Sequence, residues 1–97
     1  MTEERVACRT PADGRDGVSN IPVWKFDALR KAILDELGNG DIKYKDLNDA
    51  VRKRLSSDQL DKLGSLGWHV VTVKLELEVR GEVVRRDVKG PRLIGLP

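Results

Sequence analysis

The 97-residue sequence contains one cysteine and one histidine. A lone cysteine cannot close an intrachain disulfide, and one His with one Cys cannot supply the four ligands of a structural zinc site. Cys8 and His69 lie far apart in sequence, a weak basis for a nucleophile–base pair, so Cys8 reads as an incidental thiol. Aromatic residues make up only 4% of the chain. No apolar run reaches the length of a membrane span, and the acidic start Met1-Thr2-Glu3-Glu4 is unlike a signal peptide. Gly14-Arg15-Asp16-Gly17 is short and follows no strand, so it reads as a turn and not as a phosphate-binding loop. These absences predict a cytoplasmic protein with no metal, no cofactor and no small-molecule ligand. The carboxylates, Glu76 and Glu78, Asp58 and Asp61 among them, sit beside basic residues on expected solvent faces without forming an acid–base constellation, so no enzyme activity is expected.

Charge of one sign is also nearly absent, since the net charge is only +2. A strong nucleic-acid binder of this size carries a larger excess, so the total decides nothing and the distribution matters more. Over residues 80–97, Arg80, Arg85, Arg86, Lys89 and Arg92 stand against Glu82 and Asp87. Residues 43–64 are basic as well, whereas the other stretches are slightly acidic. With 39% apolar residues, the chain can form one small core.

Residues 1–20 are polar and turn-rich, and read as a flexible arm preceding a domain over 21–97. A helix follows, capped by Ser19 or Asn20 and closed by Gly38 and Gly40, with Phe26, Leu29, Ile33 and Leu37 on one stripe. Trp24 lies off that stripe. Ile42-Lys43-Tyr44 can make a short strand. A second helix places Leu47, Ala50, Val51 and Leu55 on one face, and Ser57 can cap a short helical turn carrying Leu60 and Leu63.

Residues 71–80 admit two readings. Apolar and polar residues alternate there, as in a half-buried strand. As a helix, the segment would carry Val70, Val73 and Leu77 on one side and Trp68, Val71, Leu75 and Val79 nearly opposite. A polar stripe of His69, Thr72, Glu76 and Arg80 would lie between them. Gly81 favours the helix: it reads as a stop followed at once by a strand over 82–86, with a tip at Lys89-Gly90-Pro91 and a returning strand over 92–96.

Thr10-Pro11, Gly14-Arg15-Asp16-Gly17, Trp24-Lys25-Phe26-Asp27-Ala28, Gly67-Trp68 and Val73-Lys74-Leu75-Glu76-Leu77-Glu78 through Gly81 together resemble a small bacterial family of unknown function. The resemblance spans roughly residues 10–94. It implies a helix before Gly81, because similar sequences carry more alanine there, and it implies no activity. The element order predicts an α+β winged helix-turn-helix domain of three helices and a C-terminal β-hairpin wing.

Two functions fit that fold. In the first, a DNA-binding module, His69, Thr72 and Arg80 read bases while Arg85, Arg86, Lys89 and Arg92 hold phosphates. In the second, a module for protein contact or homodimerisation, Trp24, Trp68, Val71, Leu75 and Val79 form the interface.

Overall fold

A computed structural model describes residues 5–8, 19–86 and 92–97. Strands β1 (Arg5–Cys8) and β2 (Ser19–Pro22) form an antiparallel pair, with Arg5 opposite Pro22 and Cys8 opposite Ser19. Residues 5–8 and 19–20, read from the sequence as part of an arm, are thus paired strand, and residues 9–18 lie outside the described part. β1 packs on the helices behind it, which leaves Cys8 and Ile21 in the core.

Helix α1 (Val23–Leu37) carries the expected stripe: Phe26, Leu29, Ile33 and Leu37 are buried, joined by Ala32. Burying Leu29 and Ile33 completely contributes about 1.5–3 kcal/mol each. Ser19 and Asn20 do not cap this helix, because both belong to β2; the N-cap is Pro22, without a side-chain cap bond. β3 (Ile42–Lys43) leads into a single 3-10 turn at Tyr44–Asp46 and then α2 (Leu47–Arg52), which buries Leu47 and Val51. α3 (Ser57–Leu63) is a full helix. Its cap is Ser56 and not Ser57: the Ser56 hydroxyl accepts from the Gln59 amide while the Gln59 side chain accepts from the Ser56 amide. This reciprocal bonding satisfies two donors that would otherwise lack partners.

The ambiguous segment is a helix. α4 (Leu66–Val79) is capped by Ser65, whose hydroxyl accepts from the Trp68 amide. It ends as the glycine predicted. The Gly81 amide donates to Glu78 and the Glu82 amide to Leu77, and Gly81 has φ of 75°. This is the Schellman closure, whose left-handed position favours glycine. The alternation misleads because α4 is central. Val70, Val73 and Leu77 meet the core, while polar residues on both flanks are also covered. A helix buried on several sides has no single apolar stripe to detect.

β4 (Val84–Arg86) and β5 (Leu93–Gly95) complete a second antiparallel sheet in the order β3-β5-β4. Arg85 pairs with Ile94, and Ile94 with Ile42. Among the described residues the architecture is thus mixed α+β, with four helices where three were expected and two small antiparallel sheets.

Candidate functional site

The polar stripe of α4 faces inward except at Arg80, which is exposed. His69 and Thr72 are buried and Glu76 is fully enclosed. The His69 ring sits 2.6 Å from the Ser65 carbonyl through Nδ1 and lies edge-on to Trp68, with 4.8 Å between ring centres. The Thr72 hydroxyl donates to the Trp68 carbonyl at 2.7 Å, one turn back along the helix. Both residues, expected from the sequence to read bases, thus lie largely buried with their polar atoms turned to the backbone of the preceding turn.

The arginines near the wing already have partners. Arg80 donates from Nε to Glu76 at 2.7 Å and lies over the Phe26 ring at 4.7 Å. Arg85 meets Glu78 at 3.1 Å. Arg86 bonds Asp41 and the Leu96 carbonyl, each at 2.6 Å. The last pair determines what stands at Gly95, where an added Cβ would fall 1.9 Å from Asp41 Oδ1. The Arg92 side chain is exposed and, among the described residues, has no partner, and Lys89 lies outside the described residues.

Two charged networks flank α4. On one side Lys74 Nζ sits 2.8 Å from Glu78 Oε2 and 4.6 Å from the centre of the Tyr44 ring, with Arg85 closing over Glu78. The Lys74 and Glu78 side chains are only 3% and 8% exposed. On the other side Glu76, Arg80, Glu82 and Arg30 form a chain of ion pairs ending in an Arg30–Glu82 bond of 2.7 Å. Cys8 lies by Glu76 and Arg80. Burial, reinforced by the Glu76 carboxylate, pushes its thiol up to about 11, so it is a core residue and not a reactive one. Sequence reasoning placed these carboxylates on solvent faces. The available signal was the helix itself: a helix apolar on two opposite sides must tuck its polar stripes beneath whatever packs there.

The face of α4 left open is the apolar one. Trp68 is 48% exposed and Val79 36%, with Val71 and Leu75 half-buried between them. They repeat at i, i+3, i+7 and i+11, along one side of the helix. Trp24 is exposed too, but it borders a separate hollow with Asp58, Gln59 and Lys62 of α3 and does not extend this stripe.

Among the described residues, no group of three or more His, Cys, Asp or Glu could hold a metal, and no helix is long and apolar enough to cross a membrane. A groove of about 530 Å³ between α1, β3 and α2 is lined by ion-paired Glu36 and Arg54 with Asp46, Asp49 and Lys53. It contains no nucleophile–base pair.

No curated protein and no solved structure matches the chain. The match that exists is to a family model, described as a family of unknown function, over residues 5–93. Nearly the whole described chain falls within that match, and the chain belongs to the DUF6958 family.

Proposed function

We propose that this chain is a non-enzymatic, cytoplasmic winged helix-turn-helix module that self-associates through the outer stripe of α4. The winged-helix reading draws support from the sheet order β3-β5-β4 and from a long helix running through Gly81 directly into the β4–β5 hairpin. One observation carries the functional reading. The open side of α4 presents Trp68 and Val79 with Val71 and Leu75 half-buried between them, while His69, Thr72 and Glu76 are buried.

A second copy suits that stripe. Its spacing matches the a/d pattern of paired helices, and a two-fold axis brings like residues together without a separate partner surface. The flanking charges are already neutralised within the chain, Lys74 by Glu78 and Arg80 by Glu76, so two copies approach without like-charge repulsion. A 14-residue helix is about 21 Å long, so the seam is small beside the roughly 800 Å² per partner of a standard interface. The expected dimer is therefore weak, micromolar or above in Kd. Sedimentation equilibrium over a wide concentration range tests this: wild type should fit a monomer–dimer equilibrium that Leu75→Glu abolishes with the fold intact. A monomer at every concentration would reject the reading.

A further inference from the structure

The described lysines and arginines fall into three groups. Arg30, Lys31, Arg54, Lys62, Lys74, Arg80, Arg85 and Arg86 are held in ion pairs. Lys25 and Arg5 donate to backbone carbonyls. Lys43, Lys45, Arg52, Lys53 and Arg92 are exposed and, among the described residues, their side chains have no hydrogen-bond or ion-pair partner.

These five are not scattered. The Tyr44 amide donates to the Arg92 carbonyl at 2.9 Å, which sets Arg92 opposite Tyr44, beside Lys45. Lys45, Asn48 and Arg52 follow at i, i+3 and i+7, along one side of the 3-10 turn and α2. Asn48 fixes that side towards α4, because a Cβ at Gly67 would lie 3.5 Å from its amide nitrogen. Tyr44 stands between, 37% exposed. Lys43 is next in the same edge strand, with its side chain on the opposite sheet face. Asp46 and Asp49 line the groove with Glu36 and Lys53; Asp49 lies on the same side of α2, but among the described residues neither carboxylate forms an ion pair with Lys45, Arg52 or Arg92.

We infer that Lys45, Arg52 and Arg92 form a binding surface for the sugar–phosphate backbone of a nucleic acid, with Lys43 and Tyr44 at its edge. Free guanidinium and ammonium groups on a helix, a turn and a strand end offer separate contacts to successive phosphates. Binding of this kind releases counterions and is independent of base sequence. The surface differs from both surfaces expected of a winged helix: it uses no side chain of α4 and, of the wing cations, only Arg92, since Arg85 and Arg86 are held in ion pairs. It also does not depend on self-association.

The test is fluorescence anisotropy with a labelled 20-base-pair duplex and the matching single strand, from 50 to 200 mM salt. Lys45→Ala/Arg52→Ala/Arg92→Ala should flatten the slope of log K against log salt by about 2.7 on duplex, so that its affinity changes about 40-fold less over that range. Lys31→Ala/Arg54→Ala/Lys62→Ala removes the same charge from paired positions and should leave the slope as in wild type. Flattening confined to the first variant, on duplex or single strand, supports the assignment. Absence of wild-type binding, equal flattening by both variants, or binding only to anionic lipid vesicles would overturn it. Circular dichroism melts verify that both variants fold, since none of the six side chains is in the core.

Discussion

The Lys74–Glu78 pair is the most consequential charge placement in the chain, and removing its two halves should have unequal effects. Both side chains are almost fully enclosed, and Glu78 Oε2 accepts no hydrogen bond of good geometry although the ammonium is 2.8 Å away. Glu78→Leu leaves Lys74 enclosed with only the Tyr44 ring for company, a loss of about 3–5 kcal/mol for a buried charge deprived of its partner. Lys74→Met leaves Glu78 facing Arg85, which is 48% exposed and 3.1 Å away, so the loss is smaller, about 1–3 kcal/mol. Lys74→Met/Glu78→Leu removes both buried charges, and its stability should return to within about 1 kcal/mol of wild type. Thermal midpoints should follow at roughly 4–8 °C per kcal/mol for a domain of this size. Urea unfolding followed by tryptophan fluorescence, with circular dichroism as a second probe, measures all four proteins. Two near-neutral single variants would show that the pair is solvated. A double variant no more stable than Glu78→Leu would show that the two charges do not act as a unit.

Gly81→Ala should destabilise the chain by about 1–2 kcal/mol in the same assay, because φ of 75° is left-handed backbone, and Gly81→Asn should be milder. Cys8 makes stability depend on alkaline pH. Its folded value near 11 lies above the ordinary thiol value of 9.0, so its contribution is complete below the lower value and disappears as pH rises to the upper. Chemical denaturation across that window should lose about 2–3 kcal/mol from this residue, and Cys8→Ala should flatten that part of the profile. A thiol reagent at pH 8 should label native Cys8 far more slowly than the urea-unfolded chain. Comparable rates would place the thiol in solvent.

What the sequence disclosed, and what it concealed, follows from how many neighbours each element has. α1 packs mainly through one face, so its stripe of Phe26, Leu29, Ile33 and Leu37 was legible. Gly81 marked the end of α4 because only backbone conformation, not packing, selects that residue. α4 itself touches α1, α2 and β1, which erases its period and makes it alternate like a strand. The hairpin of β1 and β2 escaped notice because four-residue strands reading Arg-Val-Ala-Cys and Ser-Asn-Ile-Pro are too short and too polar to signal pairing. The apolar interface candidates Trp68, Val71, Leu75 and Val79 were identifiable from helical geometry alone. The free cations were not, because an unpaired arginine and a paired one look the same in sequence: Arg85 and Arg92 differ only in which carboxylates folding brings near them.

The self-association reading stands or falls on which atoms meet across the seam. Isotope-filtered NOE spectra on a mixture of labelled and unlabelled chains, above the dimer midpoint, report those contacts directly. Contacts between copies should appear at the Trp68 indole and the methyl groups of Val71, Leu75 and Val79, and vanish on dilution. Filtered spectra without intermolecular contacts at any accessible concentration, or contacts confined to Trp24 and α3, would contradict it.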